Sequence, residues 1–446
     1  MTDYDFFLGC NLSPLFFAIF ICELGAILNS SKLGITLGLF IIALLLFADD
    51  IVLIAKDKKS LDIMMKLVTR FLHFHRLHIS TAKSKVLTTD LGPITFYGDV
   101  TPSIELEAVC SFTYLGIPLN GSARCFFRDF NDKVQQKARR YLYSVLSLTR
   151  SGPDRSALAH TLWTNCALPA VLYGCEIMVL TKKTLDVLEQ CNTQIGKFIL
   201  QVPSRSANVS TYIDAGLRPI WAVVAEKVLL YARSVMTKEN DYWPKLAMSY
   251  CLNEGLHVPY TKNLVKWMKE ANTTIQSSAL IKKDIHRSSI SYVMNEYYRC
   301  STTSFAMSPP LNTCSQKWFK LKTWVSDSAY SKTLAQFRCC NSGLGNRGPT
   351  KGGSFFKLCP LCEKQGIRTL NNEVHMIIEC PSLKLYRESC YLGQFVCTHR
   401  ALNPTISSIK LYSLFLEDSS PDKMKLKASC LYSMKVAWHT LMGIPI

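Results

Sequence analysis

Acidic residues are scarce in this chain: 33 Asp and Glu stand against 51 Lys and Arg over 446 residues, a formal net charge of +18 and a pI near 9.2. Such a deficit disfavours cationic partners and favours a polyanion, because each phosphate neutralised by Lys or Arg releases condensed counterions. Long uninterrupted apolar runs are missing too. The best candidate, Leu33 to Ala48, is broken by Gly34, Thr36 and Gly38 and runs into Asp49-Asp50. It falls short of the ~20 apolar residues that a membrane span takes. It reads instead as a buried strand feeding a turn, and no stable membrane association is expected. No basic segment opens the chain, where Met1 to Asp5 carries two acids, so a secretory leader is not expected either. There is no internal repeat. Disorder is excluded by a hydrophobic share of 48% against a charged share of 19%.

What is plentiful is cysteine. Eighteen are spread along a chain long enough for two or three domains. That spread does not resemble the dense framework of a small secreted domain, so most thiols are read as reduced core residues of an intracellular protein, in cytoplasm or nucleus. One group of cysteines stands apart and is taken up below.

In chain order, Ser13 as N-cap and Pro14 in the first turn predict a helix over the apolar stretch that follows. Residues 39–55 read as two apolar strands around Ala48-Asp49-Asp50. Leu61, Met64, Met65, Val68, Phe71 and Leu72 recur at helical spacing, with Lys66 and Arg70 opposite. A short strand is expected after Ser80. From about Phe130 to Val235 the pattern is mostly helical, basic at Lys133, Lys137, Arg139 and Arg140, and divided by Pro169, Pro203 and Pro219. Residues 240–335 show no regular period.

The sharpest local feature is Phe47-Ala48-Asp49-Asp50, flanked by Leu44-Leu45-Leu46 and Ile51-Val52-Leu53-Ile54. Neither carboxylate could be buried unpaired in a sheet, so both belong at a hairpin turn. There they offer oxygen ligands to a hard divalent cation such as Mg2+, and two such ions can drive an in-line phosphoryl displacement. An acidic hairpin tip without metal is the competing reading.

The segments around that turn carry a resemblance. Gly9-Cys10-Asn11-Leu12-Ser13-Pro14-Leu15-Phe16 resembles reverse-transcriptase motif B, usually Gln-Gly-x-Pro-Leu-Ser-Pro before apolar residues. Phe47-Ala48-Asp49-Asp50 has the form of motif C in non-LTR elements. The helix from Ser60 with Ile79-Ser80-Thr81-Ala82-Lys83-Ser84-Lys85 resembles motif D, and Phe112-Thr113-Tyr114-Leu115-Gly116 resembles motif E, the primer grip. Leu168-Pro169-Ala170-Val171-Leu172-Tyr173-Gly174-Cys175-Glu176 is similar to a stretch common downstream of the palm, and Gln201 to Pro219 is a weaker match. From its start to about residue 235 the chain is therefore similar to LINE-type (non-LTR) retrotransposon reverse transcriptases, in their carboxy-terminal part.

That resemblance implies an α+β fold with a partial palm, a helical thumb and a small zinc-knuckle region at the carboxy end. It implies Asp49 and Asp50 as Mg2+ ligands, and Gly9 and Ser13 beneath template and incoming nucleotide. Lys83 would protonate the leaving pyrophosphate, while Phe112, Tyr114, Leu115 and Gly116 would hold template and primer. Partners would be RNA and DNA, and the small-molecule substrates deoxynucleotides. The chain departs from the pattern at Leu8, where motif B has Gln, and at Asn11, where it has Pro. Motif A, with a third metal-binding Asp, belongs several tens of residues upstream, whereas eight residues precede Gly9. Asp3 and Asp5 stand too close to motif B to replace it. The expectation is a fragment or degenerate copy of an RNA-directed DNA polymerase, inactive alone. The alternative is a non-catalytic nucleic-acid-binding protein that uses thumb and zinc knuckle only.

Downstream, Cys359, Cys362, His375 and Cys380 form a C-x2-C-x12-H-x4-C pattern. Thiolate and imidazole at these spacings can close a tetrahedral Zn2+ site with no open position, a structural rather than a catalytic arrangement. Cys339 and Cys340 are spare thiols. LINE-type proteins typically carry such a knuckle after the thumb, and the resemblance implies nucleic-acid contact there. Arg347, Lys351, Phe355, Phe356 and Lys357 would supply cations and aromatics. No endonuclease centre is legible around Pro421-Asp422. The expected organisation is palm over 1–120, thumb over 121–240, an irregular helical connector over 241–335 and the zinc region over 336–446.

Overall fold

A computed structural model describes residues 12–38, 40–89, 93–100, 102–122, 125–150, 155–240, 242–254, 258–275, 277–299, 328–338, 358–416 and 421–443. They divide into two compact units, one within Met1–Phe130 and Lys238–Thr261, the other within Asn131–Thr237 and Lys262–Ile446. Helices alternate with small sheets in the first unit, and the second is helical.

Helix α1 (Ser13–Ser30) begins one residue earlier than expected. Leu12 occupies the cap position, and Pro14 lies in the first turn, where a missing N–H breaks no helical bond. Strands β1 (Ile35–Leu37) and β2 (Phe40–Ile42) pair antiparallel, as do β3 (Leu44–Phe47) and β4 (Asp50–Leu53). The expectation of a buried strand needs correction. Leu44 and Leu46 pack on a core of Ile21, Leu24 and Leu28 from α1 with Met64, Val68 and Phe71 from α2 (Lys58–Phe74). Leu45 and Phe47, on the opposite face, remain 44% and 61% exposed. Successive strand residues point to opposite faces, and among the described residues α1 and α2 cover one of them.

Helix α2 is capped by Asp57, whose carboxylate accepts from the Ser60 N–H at 2.7 Å. Its other side carries Met65 into a second small core with Phe96 and Leu106. That core belongs to the sheet of β5 (Lys85–Leu87), β6 (Pro93–Phe96) and β7 (Ile104–Val109), in which β7 is central, parallel to β5 and antiparallel to β6. A last hairpin pairs β8 (Ser111–Tyr114) with β9 (Ile117–Asn120). The Asn120 side-chain amide donates to Asp129 Oδ2 at 2.8 Å at the start of α3 (Arg128–Thr149), and this bond holds the Asp129 carboxyl below its ordinary range.

The helices that follow are α4 (Arg155–Leu162), α5 (Leu168–Val171), α6 (Lys182–Leu200), α7 (Val209–Ile213) and α8 (Ile220–Met236), with a π-helical turn at Trp163–Ala167. The stretch without a legible period forms α9 (Trp243–Asn253), α10 (Pro259–Ala271), α11 (Ser278–Arg299) and α12 (Ser328–Arg338). In α11 the buried positions are Ile281, Ile285, Ser289, Val293 and Tyr297. A row spaced every four residues is one side chain wide, too narrow to show as an amphipathic pattern. Within the second unit α11 packs on α7 and α8. Helices α13 (Pro360–Glu363), α14 (Lys384–Glu388), α15 (Tyr391–Leu402), α16 (Ser408–Leu416) and α17 (Pro421–Met442) complete it, and α17 packs along α12.

A buried polar network orders the middle of this unit. Glu189 accepts from Tyr212 Oη at 2.9 Å, from Asn192 Nδ2 at 3.1 Å and from the Ile220 N–H at 2.7 Å. Glu189 thereby satisfies an orphan donor at the start of α8. Among the described residues, no helix is long and apolar enough to cross a membrane.

Candidate functional site

Two sites were anticipated, and each lies within one unit. In the first, β3 runs out at Phe47, whose backbone pairs with Asp50, so Ala48 and Asp49 form a two-residue turn. Ala48 takes a left-handed φ of +51°, a conformation that closes tight hairpins in the sense of the strand twist at a cost for a residue with a Cβ. Asp49, in the turn, and Asp50, the first residue of β4, are both exposed. No described hydrogen bond or ion pair occupies either carboxylate, which leaves their oxygens free for a hard cation.

The β8–β9 hairpin closes through Leu115 and Gly116, at φ +47° and +79°. Two consecutive left-handed residues are the requirement of a type I′ turn, and Gly116 meets it without steric cost. At its rim stands Tyr114. Partial burial raises the Tyr114 phenol above its ordinary range, and the negative charge of Asp50 adds to the effect. Asp50 and Tyr114, 64 positions apart in sequence, therefore share one electrostatic neighbourhood. Phe112, on the same strand, is exposed. Ser13 is the first residue of α1, and Gly9 lies outside the described residues. Lys83 sits exposed in the turn before β5, its N–H bonded to Ser80 O at 3.1 Å. No described interaction links it to Asp49 or Asp50.

The second site is the cysteine–histidine centre. The ligand atoms of Cys359, Cys362, His375 and Cys380 all lie within 4.8 Å of one another, and all four residues are buried. Cys362 Sγ is 3.3 Å from His375 Nε2 and 3.7 Å from Cys380 Sγ. Tetrahedral Zn2+ with bonds of ~2.0–2.3 Å needs edges of roughly 3.3–3.8 Å; the two edges from Cys362 have that length, and thiolates with an imidazole are donors that ion takes. Crowding of the thiols favours a thiolate: the hydrogen bond from Cys380 draws the Cys359 thiol far below its ordinary range.

Local structure explains how a spacer of twelve residues returns His375 to the cysteines. Cys359 caps α13, placing Cys362 one turn on. Gly366 then turns at φ +74°, and the Cys359 N–H donates to Thr369 O at 2.9 Å beside a bridge between Leu358 and Leu370. Asn372 Oδ1 accepts the His375 N–H at 2.8 Å and starts a π-helical turn, His375–Glu379, in which the Cys380 N–H bonds His375 O. The wider turn brings His375 and Cys380 to one side. Sequence reasoning picked out the four clustered residues and missed the groups that support them. Glu379 Oε2 lies 3.6 Å from His375 Nδ1 and Thr369 Oγ1 3.3 Å from Nε2, while buried Arg387 donates to Ile377 O and Cys380 O at 3.0 and 3.1 Å. Of these, only the i+4 spacing of Glu379 from His375 was visible beforehand. Cys339, Cys340, Arg347, Lys351, Phe355, Phe356 and Lys357 lie outside the described residues.

Residues 7–119 match the family described as reverse transcriptase (RNA-dependent DNA polymerase). The matched stretch contains the Asp49–Asp50 turn, α2, Lys83 and the β8–β9 hairpin up to Leu119. No curated protein matches the chain.

Proposed function

We propose that this chain belongs to the RNA-directed DNA polymerase machinery of a non-LTR, LINE-type retrotransposon. In this reading its first unit supplies palm motifs B to E, helices α3 to α8 act as the thumb, and a Cys3His zinc module follows. The observation that carries the proposal is the exposed Asp49–Asp50 pair on the β3–β4 turn, with Tyr114 of the β8–β9 hairpin in its field, inside the stretch that matches reverse transcriptases.

Asp49 and Asp50 would hold Mg2+, which when bound activates a primer hydroxyl and stabilises the leaving oxygen. The β8–β9 hairpin, with Phe112 and Tyr114 at its rim, would position the primer end, Gly9 and Ser13 would support template and nucleotide, and Lys83 would deliver a proton to pyrophosphate. Cys359, Cys362, His375 and Cys380 would hold Zn2+ as a closed structural centre. RNA and DNA are the partners that a net charge of +18 favours, and Arg347, Lys351 and Lys357 are assigned to that contact.

Among the described residues no third acidic, His or Cys side chain joins Asp49 and Asp50 closely enough to share an ion. A two-metal site depends on its full ligand set, so the chain by itself is expected not to extend a primer. Metal binding tests the reading directly. Mn2+ titration in the presence of an RNA–DNA primer–template, followed by electron paramagnetic resonance, should show an ion that is lost in Asp49→Asn, Asp50→Asn. Binding unchanged by that double substitution would remove the polymerase reading. Triple replacement of Arg347, Lys351 and Lys357 by Ala should weaken RNA binding and flatten its salt dependence.

A further inference from the structure

Helix α11 carries a second kind of order on its outer side. Its buried row, Ile281, Ile285, Ser289, Val293 and Tyr297, is matched by an exposed row with the same step of four: Lys283, Arg287, Ser291, Asn295 and Arg299. With a rise of about 1.5 Å per residue the exposed row extends ~24 Å along the helix, and no acid interrupts it. Asp284 and Glu296 stand beside it and pair with Arg287 and Arg299, each at 3.5 Å, but the two guanidiniums remain 71% and 80% exposed. Pairs of that kind hold a cation loosely. Next to Arg299, the Tyr298 ring is 71% exposed and rests edge-on against buried Tyr297, with centroids 5.4 Å apart. The helix itself is anchored on α7 and α8, and Ser288 Oγ donates to Ala271 O at 2.8 Å.

We propose that this face of α11 binds single-stranded RNA, with the row taking backbone phosphates and Tyr298 stacking on a base. The proposal rests on the reading of RNA as a partner and deepens it, through residues that belong neither to the palm motifs nor to the segment 347–357. Lys283, Arg287 and Arg299 supply the charge that displaces counterions from the backbone. Ser291 and Asn295 each offer a donor and an acceptor, for phosphate or for the 2′-hydroxyl that separates RNA from DNA. An exposed aromatic ring reaches a base face where bases are unstacked, which selects a single strand.

An anionic lipid surface fits the same charge less well. A helix that lies in a membrane interface offers large apolar residues there, whereas α11 buries Ile281, Ile285 and Val293 and exposes Ser291 and Asn295.

The test uses the full zinc-loaded chain and a labelled, unstructured single-stranded RNA, with binding read by fluorescence anisotropy over a salt series. Lys283→Ala, Arg287→Ala and Arg299→Ala together should weaken binding roughly tenfold or more and lower the salt slope by about two, since each phosphate contact on a single strand contributes ~0.7. Tyr298→Ala should weaken binding without changing the slope, and Tyr298→Phe should restore it. Ser291→Ala with Asn295→Ala should narrow the preference for RNA over DNA of the same sequence. Alanine is the strongest helix former, so these exposed positions lose their side chains and keep the helix. No primer or divalent metal is present, so the outcome is independent of Mn2+ at Asp49 and Asp50. The proposal is overturned by a parent chain that binds no RNA, binds DNA equally well or prefers phosphatidylserine vesicles. Unchanged affinity and slope in the triple variant, or unchanged affinity in Tyr298→Ala, would overturn it as well.

Discussion

Arg338 and Asp214, 124 positions apart, form an ion pair with side chains only 3% and 0% exposed. Arg338 Nε donates to Asp214 Oδ1 at 2.9 Å, Nη2 lies 2.8 Å from the same oxygen, and Nη1 donates to the Leu416 carbonyl at the end of α16. One guanidinium thus ties α12 to the end of α7 and to α16.

Breaking that pair from one side leaves a buried charge uncompensated. Asp214→Ala is expected to lower the unfolding free energy by about 3–5 kcal/mol, and Asp214→Leu with Arg338→Met by much less. Urea denaturation of the three chains decides it; equal losses in the single and double variants would mean that packing, not charge, sets the cost.

Metal removal should act locally. One zinc per chain is expected by elemental analysis and should be lost in Cys362→Ser. A strong chelator should unfold the segment around Cys359 and Cys380 while leaving the first unit folded, because ligand binding and folding are one equilibrium at such centres. Hydrogen exchange followed by peptide mapping would separate the units, and uniform loss of protection in both would contradict the expectation.

Glu189 gives the second unit a pH dependence. Burial raises its carboxyl above the ordinary value of 4.5, against the pull of its three donors. An acid whose pKa is higher folded than unfolded binds more protons in the native state, so its contribution to stability falls as pH rises from about 4.5 through the raised native value. Glu189→Gln should remove that slope. It should also cost roughly 1–3 kcal/mol, because an amide has only one acceptor oxygen for three donors. Melting curves across pH for the two chains compare directly, and parallel profiles would rule Glu189 out as the source.

The Ala48–Asp49 turn carries its own backbone test. With Ala48 at φ +51°, Ala48→Val should cost about 1–2 kcal/mol, since a β-branched residue tolerates this region poorly. Ala48→Gly should be neutral or mildly stabilising, the relief of strain being offset by unfolded-state entropy. Thermal unfolding monitored on the first unit would show it, and a Val variant as stable as the parent would place Ala48 in another conformation.

Much of this was legible because its causes are local. The β3–β4 hairpin follows from apolar runs on both sides of two carboxylates that no sheet could bury, and the cysteine–histidine centre from four ligands within one short segment. The narrow row of α11 was hidden by its spacing, and the exposure of Leu45 and Phe47 depended on which strand face received α1 and α2. Sequence alone therefore determined which groups stand where: two adjacent carboxylates between apolar runs, three thiols and an imidazole at ligand spacing, and a cationic excess along the chain. Tertiary structure alone decided the pairings of Arg338 with Asp214 and of Tyr212 with Glu189. Each member of those pairs carries no local mark of its partner, because burial and contact across tens of residues are set by how helices and hairpins pack, not by the spacing of letters along the chain.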